Sequence, residues 1–239
     1  MIIDFHCHVG KLSEEEKLSF EELKKSMDRF NIDKSVVFVF SNDHETMVKE
    51  SIEILDKSKT EDWIIPFLRI DPNFVKKEEL NKLLDMDFKG LKLHPFMQKF
   101  VADDEKYFWI YEMCEKRNLP VLIHSSVKDK NYSEPMKIIN IAKKFSRLNV
   151  VMAHFFGGDY NIIEESVKYP NLYVDTSVNS GSLRRYIVVK KYGFKNLILA
   201  SDIPYDSQGV SIMKITEAGL NKDDEDKILS GNALKILNI

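Results

Sequence analysis

Ile2-Ile3-Asp4-Phe5-His6-Cys7-His8 opens the chain as an apolar run that ends in two imidazoles. Strand side chains two apart point the same way, so simple alternation places Asp4, His6 and His8 on one face and Ile3, Phe5 and Cys7 on the other. Neutral imidazole is the commonest protein ligand for a borderline divalent metal. Two on one rigid strand can hold the ion in fixed geometry, with Asp4 placed to orient His6. A short His-x-His is also an ordinary polar strand end, so its meaning depends on the rest of the chain.

The same figure, an apolar run of strand length closed by a polar residue, returns through the sequence. Residues 35–40, 63–70, 88–94, 119–124, 149–154, 171–175 and 196–201 all read as strands. Between them lie amphipathic helical stretches. Ser13-Glu14-Glu15-Glu16 has the form of a capping box and predicts a first helix running to about Asn31. Further helices are expected through Met47, Ile52 and Leu55, then over 76–86, 107–117, 134–145, 162–168, 183–192 and from 211 onward. Eight strand-helix units of roughly 25 to 30 residues predict an α/β protein, a single (β/α)8 TIM barrel, with one domain over residues 1–239. A doubly wound open sheet is the competing architecture, but Val9-Gly10-Lys11 is not the glycine-rich phosphate loop it would carry after strand one.

Composition excludes several function classes. With 239 residues, 44% hydrophobic and 31% charged, the chain can bury a substantial core. A net charge of -3 gives no basic field for a phosphate backbone, so a small-molecule substrate and no nucleic acid are expected. No apolar run approaches a membrane span and no basic-then-apolar leader precedes the first strand, which predicts no membrane partner and a cytoplasmic location. The only two cysteines, Cys7 and Cys114, form no metal or redox spacing.

Five of the six histidines, His6, His8, His94, His124 and His154, fall at the C-terminal ends of predicted strands. In the expected barrel these ends form the mouth where active sites lie. Asp202 ends the last strand in Leu199-Ala200-Ser201-Asp202-Ile203-Pro204, beside strand one once the barrel closes, so its carboxylate can reach an ion held by His6 and His8. The competing reading is a turn aspartate before proline. His44, in the first turn of a helix, reads as a solvated surface residue.

In these landmarks the chain resembles the metal-dependent amidohydrolase superfamily, in the branch that also contains aminocarboxymuconate-semialdehyde-type decarboxylases. They run in order: Asp4-Phe5-His6-Cys7-His8, Lys89-Gly90-Leu91-Lys92-Leu93-His94-Pro95, Val121-Leu122-Ile123-His124, Met152-Ala153-His154, Asn171-Leu172-Tyr173-Val174-Asp175-Thr176-Ser177, Ser201-Asp202-Ile203-Pro204 and Gly231-Asn232-Ala233. The resemblance implies that His6, His8, His124 and Asp202 bind one divalent metal and that His154 sits beside its open position as a catalytic residue. Two phenylalanines separate His154 from Gly157-Gly158, where the family places glycine sooner. TatD-like nucleases share the opening motif but carry a Glu on strand four, where this chain has Lys92 and His94. In phosphotriesterase-like enzymes a carboxylated strand-four lysine bridges two metals, a role open to Lys92 beside a structural or substrate-binding one.

Three histidines and one aspartate suit zinc, with manganese, iron or cobalt compatible with the ligand types. Such an ion acidifies a bound water toward neutral pH, with Asp202 as the proton acceptor and His154 as oxyanion stabiliser or proton shuttle. Lys92, His94 and Arg184, with Arg185 beside it, would give a cationic rim for an anionic substrate. Hydrolysis of a small amide, lactone or ester is the favoured reaction, and non-oxidative decarboxylation of an unsaturated or aromatic acid the alternative. A nuclease or a catalytically silent metal-binding barrel ranks below both. The short chain implies trimmed loops and a shallow pocket or one completed by a partner, which leaves a homo-oligomer open.

Overall fold

The computed structural model describes residues 1–178 and 181–239. Nine strands, β1 (Ile3–Lys11), β2 (Lys17–Leu18), β3 (Lys34–Val39), β4 (Ile64–Arg69), β5 (Gly90–Leu93), β6 (Val121–Ile123), β7 (Val150–Met152), β8 (Leu172–Asp175) and β9 (Leu197–Ile198), form one sheet in the order β2-β1-β3-β4-β5-β6-β7-β8-β9. Every neighbouring pair is parallel except β1 with β2. The sheet is strongly curled, because residues after β9 bond back to β1: the Phe5 N–H donates to Leu199 O, Asp202 N–H to His6 O and His8 N–H to Ile203 O. The last strand was predicted over 196–201 but is short because the chain leaves β8 at this point to meet β1.

Helices cover the outer face, and a large cluster built from Leu80, Ile110, Tyr111, Ile138 and Val188 fills the space between the layers. The inner face is closed by Phe5, Phe38, Phe67, Leu122 and Tyr173. Close packing there explains one glycine: a Cβ on Gly90 would meet the Phe67 ring at 2.3 Å. Two of the landmark asparagines have structural uses. The Asn171 amide donates to Ala142 O, Phe145 O and Leu148 O, and the Asn232 amide ties the last helix, Asn232–Leu237, to Lys195 O and Leu197 O.

Strand β1 departs from the predicted alternation. Asp4 pairs with Ser35 and Cys7 with Val37, so three steps on β1 match two on β3 and one extra residue is accommodated between them. Such an insertion exchanges the two faces. Ile3 and Phe5 therefore pack inside, where His6 and His8 also point, while Cys7 and Val9 pack outward against Leu23 and Met27. Asp4 lies on the outer side too. It accepts from Ser201 N–H, Ser201 Oγ and Gln208 Nε2, so the expectation that it orients His6 is corrected.

The predicted first helix is also corrected. Ser13 Oγ does accept from the Glu15 and Glu16 N–H groups, but the chain then turns into the β1–β2 hairpin. The helix begins only at Phe20–Arg29, where Ser19 and Glu22 form the reciprocal capping box and Leu23 and Met27 supply the buried stripe.

Candidate active site

Parallel strands carry their last residues to one edge of the sheet, and there β1, β5, β6, β7 and the turn after β9 deliver His6, His8, Lys92, His94, His124, His154 and Asp202 to a single cavity of about 290 Å³. Asp202 adopts a left-handed backbone (φ 66°), and with its N–H fixed on His6 O its carboxylate turns inward. Its Oδ1 lies 3.0 Å from His6 Nε2 and 3.1 Å from His8 Nε2. The donor atoms of His6, His154 and Asp202 all lie within 4.8 Å of one another.

His154 is set by a more strained device. Residues 154–158 all have positive φ, 64°, 47° and 61° at His154, Phe155 and Phe156 and then 56° and 84° at Gly157 and Gly158. Left-handed backbone at three consecutive non-glycine residues is costly and persists only where the surroundings impose it. Here Phe155 and Phe156 are buried in the outer core and a Cβ on Gly157 would meet Ser125 Oγ at 2.5 Å. The turn brings His154 Nδ1 to 2.9 Å from Ser177 Oγ and 3.7 Å from Asp202 Oδ2. His124 Nδ1 lies 2.9 Å from His154 Nε2, while its own Nε2 pairs with Asp129 at 3.0 Å.

The orienting partner of His6 is Asp175, at the end of β8. Its Oδ2 sits 2.7 Å from His6 Nδ1, and its Oδ1 accepts from the His154 and Ser177 N–H groups. Asp175 stands at a strand end like the histidines, and that position is the signal by which the sequence could have disclosed it.

Burial and charge together set the protonation states. Burial pushes His8 and His154 down to about 3, against the pull of Asp202, so both rings are neutral. Burial and Lys92 push His6 down as well, but Asp202 and Asp175 outweigh them and leave it above its ordinary value. Burial alone would raise Asp202, yet the surrounding imidazoles hold it well below the usual carboxylate range. The neutral rings of His8 and His154 beside an ionised Asp202 are forms a divalent ion requires, and an ion at the cluster would displace any proton on His6, so the donor set fits a metal.

The remaining predicted residues divide. Lys92 is fully buried with Nζ 3.2 Å from His6 Nε2, and burial lowers it to about 7 despite Asp202 and Asp175. His94 stacks on His124 with ring centroids 3.8 Å apart. Arg184 does not line the cavity: it is exposed and lies over the Tyr160 ring. Arg185 is buried, donates to Thr176 O and Gly181 O and packs on Phe155, so neither arginine contributes to a cationic rim. His44 is half-buried rather than solvated, and its Nδ1 accepts from Asp71 N–H.

A cation overlooked in the sequence takes their place. Arg69, the last residue of β4, is 2% exposed and lines the same cavity. Tyr205 and Glu16 also line the cavity, and the Tyr205 hydroxyl donates to Glu16 Oε1 at 2.6 Å.

Curled parallel strands with a cluster that could hold a metal ion at their C-terminal edge define an α/β fold of the kind whose active sites lie at that edge. The amidohydrolase family model matches residues 3–239, and the chain belongs to that family. Among curated proteins, none matches the chain in sequence. Solved structures do. The 5-carboxyvanillate decarboxylase of Sphingomonas paucimobilis is 14% identical with a TM-score of 0.80, over 100% of this chain and 99% of that one. A dihydroxybenzoic acid decarboxylase from Polaromonas sp. JS666, with bound manganese and the inhibitor 2-nitroresorcinol, is 12% identical with a TM-score of 0.79, over 99% and 96%. A protein of Acinetobacter baumannii assigned as a 2-pyrone-4,6-dicarboxylic acid hydrolase, with citric acid bound, is 15% identical with a TM-score of 0.69, over 100% and 99%. At these identities the likeness shows the fold. No helix of the described residues is long and apolar enough to cross a membrane.

Proposed function

We propose that this chain is a metal-dependent enzyme that removes a carboxyl group, without oxidation, from a small unsaturated or aromatic acid, its curled sheet closing as a (β/α)8 barrel. The observation that carries the reading is the lining of the cavity. Two fully buried basic side chains, Arg69 and Lys92, open onto a space of about 290 Å³, and neither forms an ion pair among the described residues. A buried guanidinium with no carboxylate in ion-pair contact among the described residues favours an anionic ligand, Lys92 can add a proton or a charge beside it, and the volume suits a small molecule. The two decarboxylases described above, named for small aromatic acids, support the same choice.

His6, His8, His124 and Asp202 would hold one divalent ion, zinc or manganese, which when bound supplies a Lewis acid that polarises a substrate oxygen. His94 stacks on His124 and packs beside the substrate. As the bond to the departing carbon dioxide breaks, its electron pair stays on the organic fragment, and a proton relayed through Asp202 and His154 restores that carbon. Asp175 keeps His6 in one tautomer throughout.

Hydrolysis of a carboxylate-bearing lactone, amide or ester is the second reading, favoured by the likeness to the protein assigned as a pyrone-dicarboxylic acid hydrolase. The two reactions part in isotope-labelled water. Manganese- or zinc-loaded protein incubated with a panel of aromatic acids, unsaturated acids and lactones should release carbon dioxide and leave no heavy oxygen in the organic product. Heavy oxygen in the product with no carbon dioxide would replace decarboxylation by hydrolysis.

A further inference from the structure

Arg69 is built as a rigid donor group with part of its capacity unused. Its Nη1 donates to Val39 O at 2.7 Å and Phe40 O at 3.0 Å, and its Nη2 donates to Asn42 Oδ1 at 3.0 Å. These three bonds come from the end of β3 and the residues just after it, and they fix the guanidinium plane. Of the five N–H groups an arginine carries, the one on Nε has no partner, and one on Nη2 remains beyond the bond to Asn42. All three acceptors are neutral. Among the described residues no carboxylate forms an ion pair with this buried charge, although it lines the same cavity as the imidazole cluster. A buried guanidinium held only by neutral oxygens retains most of its attraction for an anion, and its planar fork matches a carboxylate in two-toothed fashion.

The reacting carboxylate is a poor occupant of such a seat. Decarboxylation discharges that group, so a fixed cation clamped on it would stabilise the starting acid more than the transition state. The imidazole cluster, in contrast, offers the ion and the proton path. Resting on the decarboxylase reading, we infer that Arg69 seats a second carboxylate that stays on the product, so that the substrate is a small unsaturated or aromatic diacid.

The test measures binding to the metal-loaded protein without turnover, using isophthalate and benzoate as probes in calorimetry. The wild-type protein is expected to bind isophthalate at least about tenfold more tightly than benzoate, the scale of one charge-assisted pair. In Arg69→Met the ratio should fall to within about threefold, and in Arg69→Lys to an intermediate value. Asn42→Asp is the independent variant: it leaves Arg69 in place but supplies an internal carboxylate at Nη2, and it too should collapse the ratio. Equal affinity for the two probes in the wild type, or an equal loss of both in Arg69→Met with the ratio preserved in Asn42→Asp, would overturn the seat. Because no reaction is involved, failure of decarboxylation in labelled water leaves this measurement standing, and failure of the ratio leaves the reaction class untouched.

Discussion

Asp4 and Asp175 are both buried, and each accepts bonds from several donors, yet their carboxyls are shifted in opposite directions. Burial raises Asp4 above the ordinary carboxylate value because its partners, Ser201, Gln208 and Cys7, are neutral and cannot repay the lost hydration. Burial acts on Asp175 too, but the imidazoles of His6 and His154 and the Ser177 hydroxyl hold it at about 2. One extra residue in β1 decides which of the two faces the cluster. Equal burial therefore says nothing about charge; what matters is whether the partners can carry the opposite charge. The outer aspartate secures a turn, and the inner one governs ring chemistry.

The largest effect expected on the inner side is at His154. His154→Asn should leave the metal bound and lower turnover by about 10²–10⁴-fold, the usual reach of a positioned proton carrier. His124→Ala, in contrast, should lower metal occupancy in elemental analysis. The close grouping of His154 with His6 and Asp202 makes this a sharp division: an emptied site in His154→Asn would make His154 a ligand.

Asp175→Asn comes next. Its new amide N–H would face His6 Nδ1 and force the ring proton onto Nε2, the nitrogen 3.0 Å from Asp202 that must stay bare to bind an ion. Metal affinity in chelator competition should fall by about 10–100-fold. Affinity that stays at the wild-type value would mean that His6 does not depend on this partner.

The smallest effect belongs to Asp4. Gln208 Oε1 is buried without a partner, so in Asp4→Asn the glutamine amide can rotate and accept from the new side-chain N–H. Urea unfolding should shift by less than about 1 kcal/mol. A loss of several times that would show that the outer network needs an ionised carboxylate, and the contrast with Asp175 would weaken.

Much of this was legible in the sequence because strand ends are marked by hydrophobic runs that stop at a polar residue. His6, His8, Lys92, His94, His124, His154 and Asp202 were placed in that way, and all seven line one cavity. The bulge was not legible. Strict alternation has no term for one extra residue, so the orienting role went to Asp4 although the inner carboxylate is Asp175. Arg69 was missed for a different reason: it ends its strand as the histidines end theirs, but one arginine after an apolar run reads as an ordinary solvated terminus. Arg184 and Arg185 drew attention as a pair on a helix, and helical spacing carries no information about which of them reaches the mouth. The left-handed run at His154 was visible only as a misplaced glycine pair, since two phenylalanines in that conformation are held by tertiary packing and not by local preference.

The cluster draws His6 and His8 from the first strand and Asp202 from the segment after the last, so that His8 and the carboxylate it meets are 194 positions apart in sequence. Contacts of such long sequence separation form late, after the loop entropy between them has been overcome. During synthesis, at about 5–20 residues per second, the two imidazoles exist for on the order of ten seconds or more before their aspartate is made. A metal captured with full affinity therefore signals a finished molecule, and an ion that prefers this cluster pulls the two ends of the sheet together as it binds.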